Sequence, residues 1–277
     1  MSRTVPQCPC PVAVTTHHPG KQETQYRISV ITPLVGGGVE PHRNDPIWLI
    51  RPTAVRGHLR FWWRATRGMD FRTTAELFAR EGQIWGTTKG PGGRALASPV
   101  EIEISILNGG QQVRWQDFRK AAYVLFAFRQ IPNGQVQKGV CFSLFVRYPL
   151  DLRDDVETAI WAWVNFGGIG ARTRRGCGAL FCPALSPPNQ DIANWFEQQR
   201  QDRGLLTAPA NPHAPWTCLA QRPLVHLLPT NPIDAWDQAV ALLRDFRQEV
   251  GFARNPGAGG RVPGRSRWPE ADSIRAI

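Results

Sequence analysis

The order of the periodic segments constrains the fold of this chain more than any other feature. Segments with strand or helix periodicity follow one another as strand, helix, strand, strand, helix and strand. They are Tyr26–Thr32, Pro52–Arg67, Val100–Ile106, Val140–Val146, Asp151–Phe166 and Ala179–Leu185. This β-α-β-β-α-β order predicts an α+β fold of the ferredoxin-like kind. Between these segments, Glu81–Gly93 is predicted to be a turn-rich loop and Trp115–Phe128 a buried helix.

Proline-rich stretches divide the chain into three parts. Residues 1–24 are rich in Pro, Thr and His, and we expect a flexible arm there. Pro187-Pro188 marks the end of the first domain, residues 25–186. Residues 187–277 hold too few elements to repeat that unit, so they predict a partial second ferredoxin-like domain with a Gly/Pro/Arg-rich end. Its predicted elements are a helix near Asp191–Arg203, a strand near Leu224–Leu228 and a helix near Ile233–Val250.

The predicted helix that begins at Pro52 carries arginine along one side. At about 100° per residue, one stripe consists of Arg56, Arg60, Arg64 and Arg67. A different, apolar face consists of Val55, Leu59, Trp62 and Thr66. Like charges four residues apart repel each other, so a row without acidic partners indicates an external anion. Trp63, at the edge of the row, could stack on a base, but its position favours the core.

A glycine-rich segment with three arginines lies between the second predicted helix and the last strand. Gly167–Gly178 holds five glycines in twelve residues, together with Arg172, Arg174 and Arg175. Glycine permits conformations that other residues avoid, and successive N–H groups in such a loop can converge on an anion. Guanidinium groups match phosphate oxygens. The segment therefore predicts phosphate binding, although a glycine-rich connection with solvated arginines would have the same sequence.

The charge of the chain points to a polyanionic partner. The net charge is +11, and only four of the 33 basic residues are lysine. Such a balance favours nucleic acid or an anionic membrane surface, although a GC-rich genome would also enrich arginine. The longest apolar stretch, Ala121–Phe128, is too short to cross a bilayer.

The six cysteines predict reduced thiols rather than a disulfide framework or a zinc site. None of them forms a C-x₂-C pair. The N-terminus lacks the apolar core of a signal peptide, so we expect a cytoplasmic protein.

Several motifs resemble a known family. Ile50–Ala65, I-R-P-T-A-V-R-G-H-L-R-F-W-W-R-A, is similar to the signature helix of the first subunits of Cmr-type, type III-B CRISPR effector complexes. These subunits belong to the repeat-associated mysterious protein (RAMP) superfamily. The other matching motifs, in the expected order, are Thr32–Gly38, Ile84–Thr88, Gly167–Leu180 and the terminal Gly264–Glu270.

The resemblance implies two ferredoxin-like RNA-binding folds in a ribonucleoprotein for antiviral defence. It implies guide RNA, target RNA and sister RAMP subunits as partners, no membrane, and a place near the 3′ region of the guide. This chain ends just past the last motif, where the family continues, so we expect the second domain to be partial. The residues predicted to contact RNA are Arg51, Arg56, Arg60, Arg64, Gly167, Gly168, Gly170, Arg172, Arg174, Arg175, Gly176 and Gly178.

We predict no catalytic residue, cofactor or metal. A metal-independent ribonuclease of this superfamily would need a general base, and His58 is the best placed histidine. By the helical count, however, His58 faces away from the arginine row. Asp45 lies in a long loop, where single aspartates usually form turns. Two alternatives stay open: a guide-processing endoribonuclease, and a scaffold whose arginine row binds an acidic neighbouring subunit.

Overall fold

The strands and helices of this protein build a mixed α+β fold, as predicted. The computed structural model describes residues 20–36, 38, 44–45, 47–118, 121–125, 135–188, 191–206, 208, 210–219 and 230–248. The strands within them are β1 (Lys21–Val30), β2 (Leu34–Val35), β3 (Glu101–Asn108), β4 (Gln111–Arg114), β5 (Gln135–Lys138), β6 (Cys141–Pro149) and β7 (Leu180–Phe181). The α-helices are α1 (Pro52–Arg67), α2 (Thr74–Trp85), α3 (Ala122–Leu125), α4 (Arg153–Phe166), α5 (Ile192–Asp202) and α6 (Pro232–Gln248).

The larger sheet has four antiparallel strands in the order β3-β6-β1-β7. The register of the central pair places Tyr26 opposite Leu144 and Ile28 opposite Phe142. Because alternate side chains of a strand point to opposite faces, these residues share one face of the sheet. Helices α1 and α4 pack together over this face and form the main core with it.

Helix α1 buries one side and begins where the sequence predicts a start, whereas α4 begins two residues after the predicted Asp151 and is buried on all sides over Thr158–Val164. Pro52 stands in the first turn of α1, where its missing N–H costs no helical hydrogen bond. Trp63 is fully buried, so its predicted place in the core is confirmed, and its indole N–H donates to Asp155 at 2.7 Å. On α4, Val156, Ile160 and Trp163 recur at helical spacing and are also fully buried.

Some predicted boundaries were wrong, and several elements were missed. β1 begins at Lys21, so residues 21–24 lie in a strand and not in the predicted arm. Helix α2 replaces the first part of the predicted loop Glu81–Gly93, and its start is fixed by a capping box between Thr73 and Glu76. The described part of Trp115–Phe128 does not form one helix but holds the 3₁₀ turn Trp115–Asp117 and the short α3.

The missed strands β4 and β5 join β2 in a second, three-stranded antiparallel sheet. The predicted strand Leu224–Leu228 and the terminal motif Gly264–Glu270 lie outside the described residues.

Elements after residue 187 pack directly on the earlier part of the chain. Phe196 of α5 stacks on Trp161 of α4, with ring centroids 6.0 Å apart. Trp236 of α6 joins the core of the smaller sheet beside Val35 and Val136. The predicted domain boundary at residues 186–187 stays a prediction. Among the described helices, none combines the length and apolarity that a membrane span requires.

We expect the substitution Gly178→Ala to destabilise the protein by more than about 2 kcal/mol, because backbone strain and steric overlap add at this position. Gly178 has φ +66°, and a Cβ there would overlap the carbonyl oxygen of Ile169. Urea unfolding would measure the change.

Gly57→Ala is the matched control. A Cβ at Gly57, on the exposed side of α1, meets open space, so this change should stabilise by about 0.5–1 kcal/mol. Equal stability of the two variants would contradict the close approach at Gly178.

Candidate functional site

A pocket of about 560 Å³ opens between α1, the end of α4 and the glycine-rich loop, Gly167–Gly178. This volume lies within the range of small-molecule and cofactor sites. The pocket is lined by His58, Phe61, Trp62, Phe166, Gly167, Gly168, Thr173, Arg174 and Thr217. It brings a helix and a loop that are more than one hundred residues apart in sequence to one surface.

The glycines of the loop permit close backbone packing. Gly170 has φ +85°, and a Cβ there would lie 2.7 Å from Leu34 Cδ1 and 2.9 Å from the carbonyl oxygen of Val35. The Ala171 N–H donates to that same Val35 carbonyl at 2.7 Å. The loop is therefore fastened to β2, a strand of the smaller sheet.

The predicted anion cradle of N–H groups across this loop is wrong for most of its members. Intramolecular carbonyl acceptors already occupy the N–H groups of Gly167, Ile169, Ala171, Arg175, Gly176, Cys177 and Gly178. Gly178, for example, donates to Pro33 at 2.9 Å, and Gly176 donates to Thr173 at 2.9 Å. Any anion at this loop would therefore be held by its side chains together with the smaller number of N–H groups that remain.

The arginines of the loop differ in their surroundings. Arg172 lies in the left-handed region at φ 60°. The carbonyl of Arg175 accepts the indole N–H of Trp236 at 2.9 Å, which ties the loop to α6. Arg174 is exposed at the pocket, and no carboxylate within the described ranges pairs with it. Arg174 therefore supplies a free positive charge to this site.

The arginine row on α1, by contrast, is not uncompensated, so that premise of the sequence analysis was wrong. Arg60 Nε and Arg64 Nη1 both bind Glu81 Oε1, at 2.7 and 2.6 Å. The Glu81 side chain is only 5% exposed, whereas those of Arg60 and Arg64 are 31% and 34% exposed. This acidic partner, Glu81, lies on α2, a helix that the sequence analysis did not predict.

The remaining arginines near the row also have partners in this fold. Arg56 Nη1 donates to Ser98 Oγ at 2.7 Å and to the Val100 carbonyl at 3.0 Å, and burial lowers the pKa of Arg56. Arg67 binds the carbonyl of Arg203 at 2.9 Å. Arg51 lies 3.9 Å from Asp45.

The row and the loop do not share one groove. Arg60 and Arg64 face α2, whereas the side of α1 that meets the glycine-rich loop presents His58, Phe61 and Trp62. The prediction that Arg56, Arg60 and Arg64 line a groove adjoining the loop is therefore wrong for this pocket. The contact of the predicted residues with RNA stays a prediction.

The sequence analysis missed the aromatic walls of the pocket. Phe61 packs edge-on against Trp62, with centroids 5.2 Å apart, and Trp62 lies 6.1 Å from Phe166. Helical counting had placed Trp62 in the core, but it is only half-buried and faces the loop. The run of aromatic residues on α1, repeated at the end of α4 before the glycines, was a signal that could have indicated this site.

His58 faces away from the arginine row, as the helical count predicted, and towards the loop. Its ring stacks on Trp163, with centroids 6.1 Å apart. Burial lowers the pKa of His58 below its ordinary value near 6.5, because a charged imidazolium is poorly solvated there. The imidazole is therefore neutral at pH 7.

The other candidates for chemistry show no reactive geometry. Asp45 accepts the N–H groups of Ile47 and Trp48 at 3.0 and 2.8 Å, so it forms the expected turn. These bonds lower the pKa of Asp45. In the described portion of the chain, no three His, Cys, Asp or Glu side chains lie close enough together to hold a metal ion.

Comparisons with known proteins give one family and several relatives. The sequence model of the RAMP superfamily matches residues 27–180, more than half of the chain. The chain is 26% identical to the CRISPR system Cmr subunit Cmr1-1 of Pyrococcus furiosus over 47% of this chain and 40% of that protein. It is 25% identical to Cmr1-2 of the same organism, over 57% of this chain and 94% of that protein.

A solved structure has the same overall fold. The crystal structure of Cmr1 from Pyrococcus furiosus in its apo form superposes with a TM-score of 0.56 and 18% identity. The superposition covers 86% of this chain and 79% of that one. The superposition therefore covers a larger share of the chain than the family match does.

Glu81→Gln should reduce the free energy of unfolding by about 1.5–3 kcal/mol, because a neutral amide oxygen accepts from Arg60 and Arg64 without the negative charge that strengthens both contacts. Glu103→Gln is the control, since Glu103 is an exposed partner of Arg147 and its loss should cost less than about 1 kcal/mol. Equal effects in urea unfolding would show that Glu81 does not join α2 to α1.

We expect His58 to titrate below pH 6.5 when it is followed by NMR. Over this pH range the unfolded chain binds a proton at His58 that the folded chain does not bind. The free energy of unfolding therefore falls as the pH falls from about 6.5 towards the folded pKa. His58→Gln should flatten that part of the stability profile relative to the unmodified protein. A folded midpoint at or above 6.5 would contradict the burial of this ring.

Proposed function

We propose, from the premise that this chain belongs to the RAMP superfamily, that it is a non-catalytic RNA-binding subunit of a Cmr-type, type III-B CRISPR effector complex. The similarity to two Cmr subunits supports this assignment. The chain matches less than half the length of the first of these, Cmr1-1. The proposal therefore concerns the part of such a subunit that this chain represents.

We assign the larger sheet and its two helices to a ferredoxin-like unit. Its elements follow the chain as β1, α1, β3, β6, α4 and β7, and the strands lie side by side as β7-β1-β6-β3. This is the strand order of a split βαβ unit, with the second sheet and α2 as insertions. The unit places the middle of α1 and the loop after α4 close to each other.

The observation that carries the proposal is the position of Arg174. Arg174 lines a pocket with aromatic walls, and no carboxylate among the described residues pairs with its guanidinium. A polynucleotide combines the phosphate that suits arginine with bases that suit aromatic rings. The charge of +11 adds a long-range attraction for such a ligand.

The loop and the arginine row have different parts in this proposal. Arg174 and Arg175 contact phosphates directly, with Arg172 beside them. The row has a structural role first, because Arg60 and Arg64 join α1 to α2 through Glu81. One carboxylate between two guanidinium groups nevertheless leaves a net positive charge on that flank of α1.

The partners follow from the family. We propose guide RNA, target RNA and sister RAMP subunits as the contacts of this chain, and antiviral defence in the cytoplasm as its setting. Affinity should come mainly from phosphates and depend only weakly on sequence, because phosphate contacts carry no base information.

One observation favours a second candidate, the guide-processing endoribonuclease. His58 is a neutral imidazole that lines the same pocket as Arg174, and such a pair could serve as general base and phosphate ligand. Incubation with precursor RNA in the absence of metal separates the candidates. Specific cleavage that disappears in His58→Ala would establish the enzyme and overturn the non-catalytic assignment.

The scaffold alternative assigns the positive charge to a protein partner. In the assembled complex, ultraviolet crosslinking should place nucleotides on peptides that contain Arg174 if RNA is the ligand. Crosslinks from these peptides to an acidic neighbouring subunit, with no nucleotide adduct, would favour the scaffold.

The double variant Arg174→Ala, Arg175→Ala should lower the salt dependence of RNA binding. Each phosphate contact contributes about 0.7 to the slope of log affinity against log salt for a single strand, so the slope should fall by roughly one to two units. Fluorescence anisotropy with a labelled RNA oligomer would measure it between 50 and about 300 mM salt.

Arg153→Ala is the control for this experiment. Arg153 pairs with Glu157 at the opposite end of α4, about 20 Å along the helix from the loop. Its loss should leave the slope unchanged. A double variant that behaves like the control would remove the glycine-rich loop from the RNA interface.

A further inference from the structure

We propose that the pocket between α1 and the glycine-rich loop receives a single unstacked nucleobase, whose adjoining phosphate binds Arg174. This inference rests on the proposed function, because it names what the RNA site holds in addition to phosphate. It also predicts that the site distinguishes RNA from other polyanions, which phosphate contacts alone cannot do.

The walls of the pocket suit the faces of a base. Phe61, Trp62, His58 and Phe166 contribute four rings around one space of about 560 Å³. Every base has a π-face that stacks on aromatic side chains. A phosphate alone would bring no apolar surface to these rings, so an anion site by itself does not account for them.

The polar groups of the pocket are open to a ligand. The side chains of His58, Thr173 and Thr217 make no hydrogen bond with any other described residue, and neither does the Trp62 indole N–H. Few polar groups among apolar walls are typical of sites that orient a ring-shaped ligand. These groups can serve the donors and acceptors on the edge of a base.

The exposure of the lining residues indicates which end of a nucleotide would enter the pocket first. Gly168 is buried, and His58, Trp62 and Phe166 are half-buried, so they form the floor. Phe61, Arg174 and Thr217 are exposed and form the mouth. A base on the floor would leave its sugar and phosphate at the mouth, where Arg174 stands.

Two neighbouring segments fix the shape of this pocket. Leu219 N–H donates to the Ala65 carbonyl at 2.6 Å, and this bond holds the segment that carries Thr217 against α1. Trp163 Nε1 donates to the Gly168 carbonyl at 3.0 Å, which holds the floor. A base can therefore enter a preformed space.

The test compares two RNA oligomers of equal length, one with uracil bases and one abasic throughout, in anisotropy titrations of the full chain. Phe61→Ala should weaken binding of the uracil oligomer about 5- to 150-fold, the loss of one stacked base. It should leave the affinity for the abasic oligomer and the salt slope unchanged. Phe78→Ala is the matched control, because Phe78 on α2 is 47% exposed and Phe61 is 41% exposed.

The outcomes separate this inference from the proposed function. If neither oligomer binds at low salt, the proposed function itself is wrong. If both bind with a phosphate-dependent slope and Phe61→Ala affects them equally or not at all, the base pocket is wrong and phosphate binding stands. Discrimination between the oligomers that only Phe61→Ala removes supports the pocket.

A second measurement needs no variant and so does not depend on how Phe61→Ala folds. RNA with 5-iodouridine, crosslinked to the unmodified chain and digested with trypsin, should give adducts on the peptide Phe61–Arg64 or on the peptide that contains Phe166. Adducts confined to other peptides, such as one that contains Phe78, would overturn the assignment.

Discussion

Helix α1 makes the contact on which the rest of this structure depends, because each of its sides serves a different neighbour. Trp63 and Leu59 are buried against the sheet and α4. Arg60 and Arg64 bind α2 through the single carboxylate of Glu81. Phe61 faces the pocket. A change that rotates or shifts α1 would therefore disturb the core, the α2 contact and the pocket together.

The longer helices and strands could be predicted because the hydrophobic pattern of each lies within its own segment of the sequence. Apolar spacing at Val156, Ile160 and Trp163 identifies the side of α4 that joins the main core, and Pro52 marks where α1 begins. Alternation over Val100–Ile106 corresponds closely to β3. Such periodicities report which face of an element is buried, and they do not depend on which partner covers it.

The predictions that were wrong concern features that depend on contacts between distant parts of the sequence. Nothing near Arg60 in sequence shows that Glu81, on a helix that begins with the capping box of Thr73, reaches back to neutralise it. The glycines of the loop suggested an anion cradle, yet the partners of their N–H groups include carbonyls as distant as Pro33. Strands β4 and β5 are four residues each, too short to display a period that a sequence can reveal.

The hydrogen bonds of the glycine-rich loop have a consequence for how a strand of RNA would be captured. Since Ala171 and Gly178 are tied to the backbone near β2, and Arg175 to Trp236, the loop already holds its shape in the unliganded protein. Little conformational entropy is then lost from its backbone on association. The long side chain of Arg174 can change its conformation to follow an irregular sugar–phosphate backbone, while the backbone of the loop keeps its position.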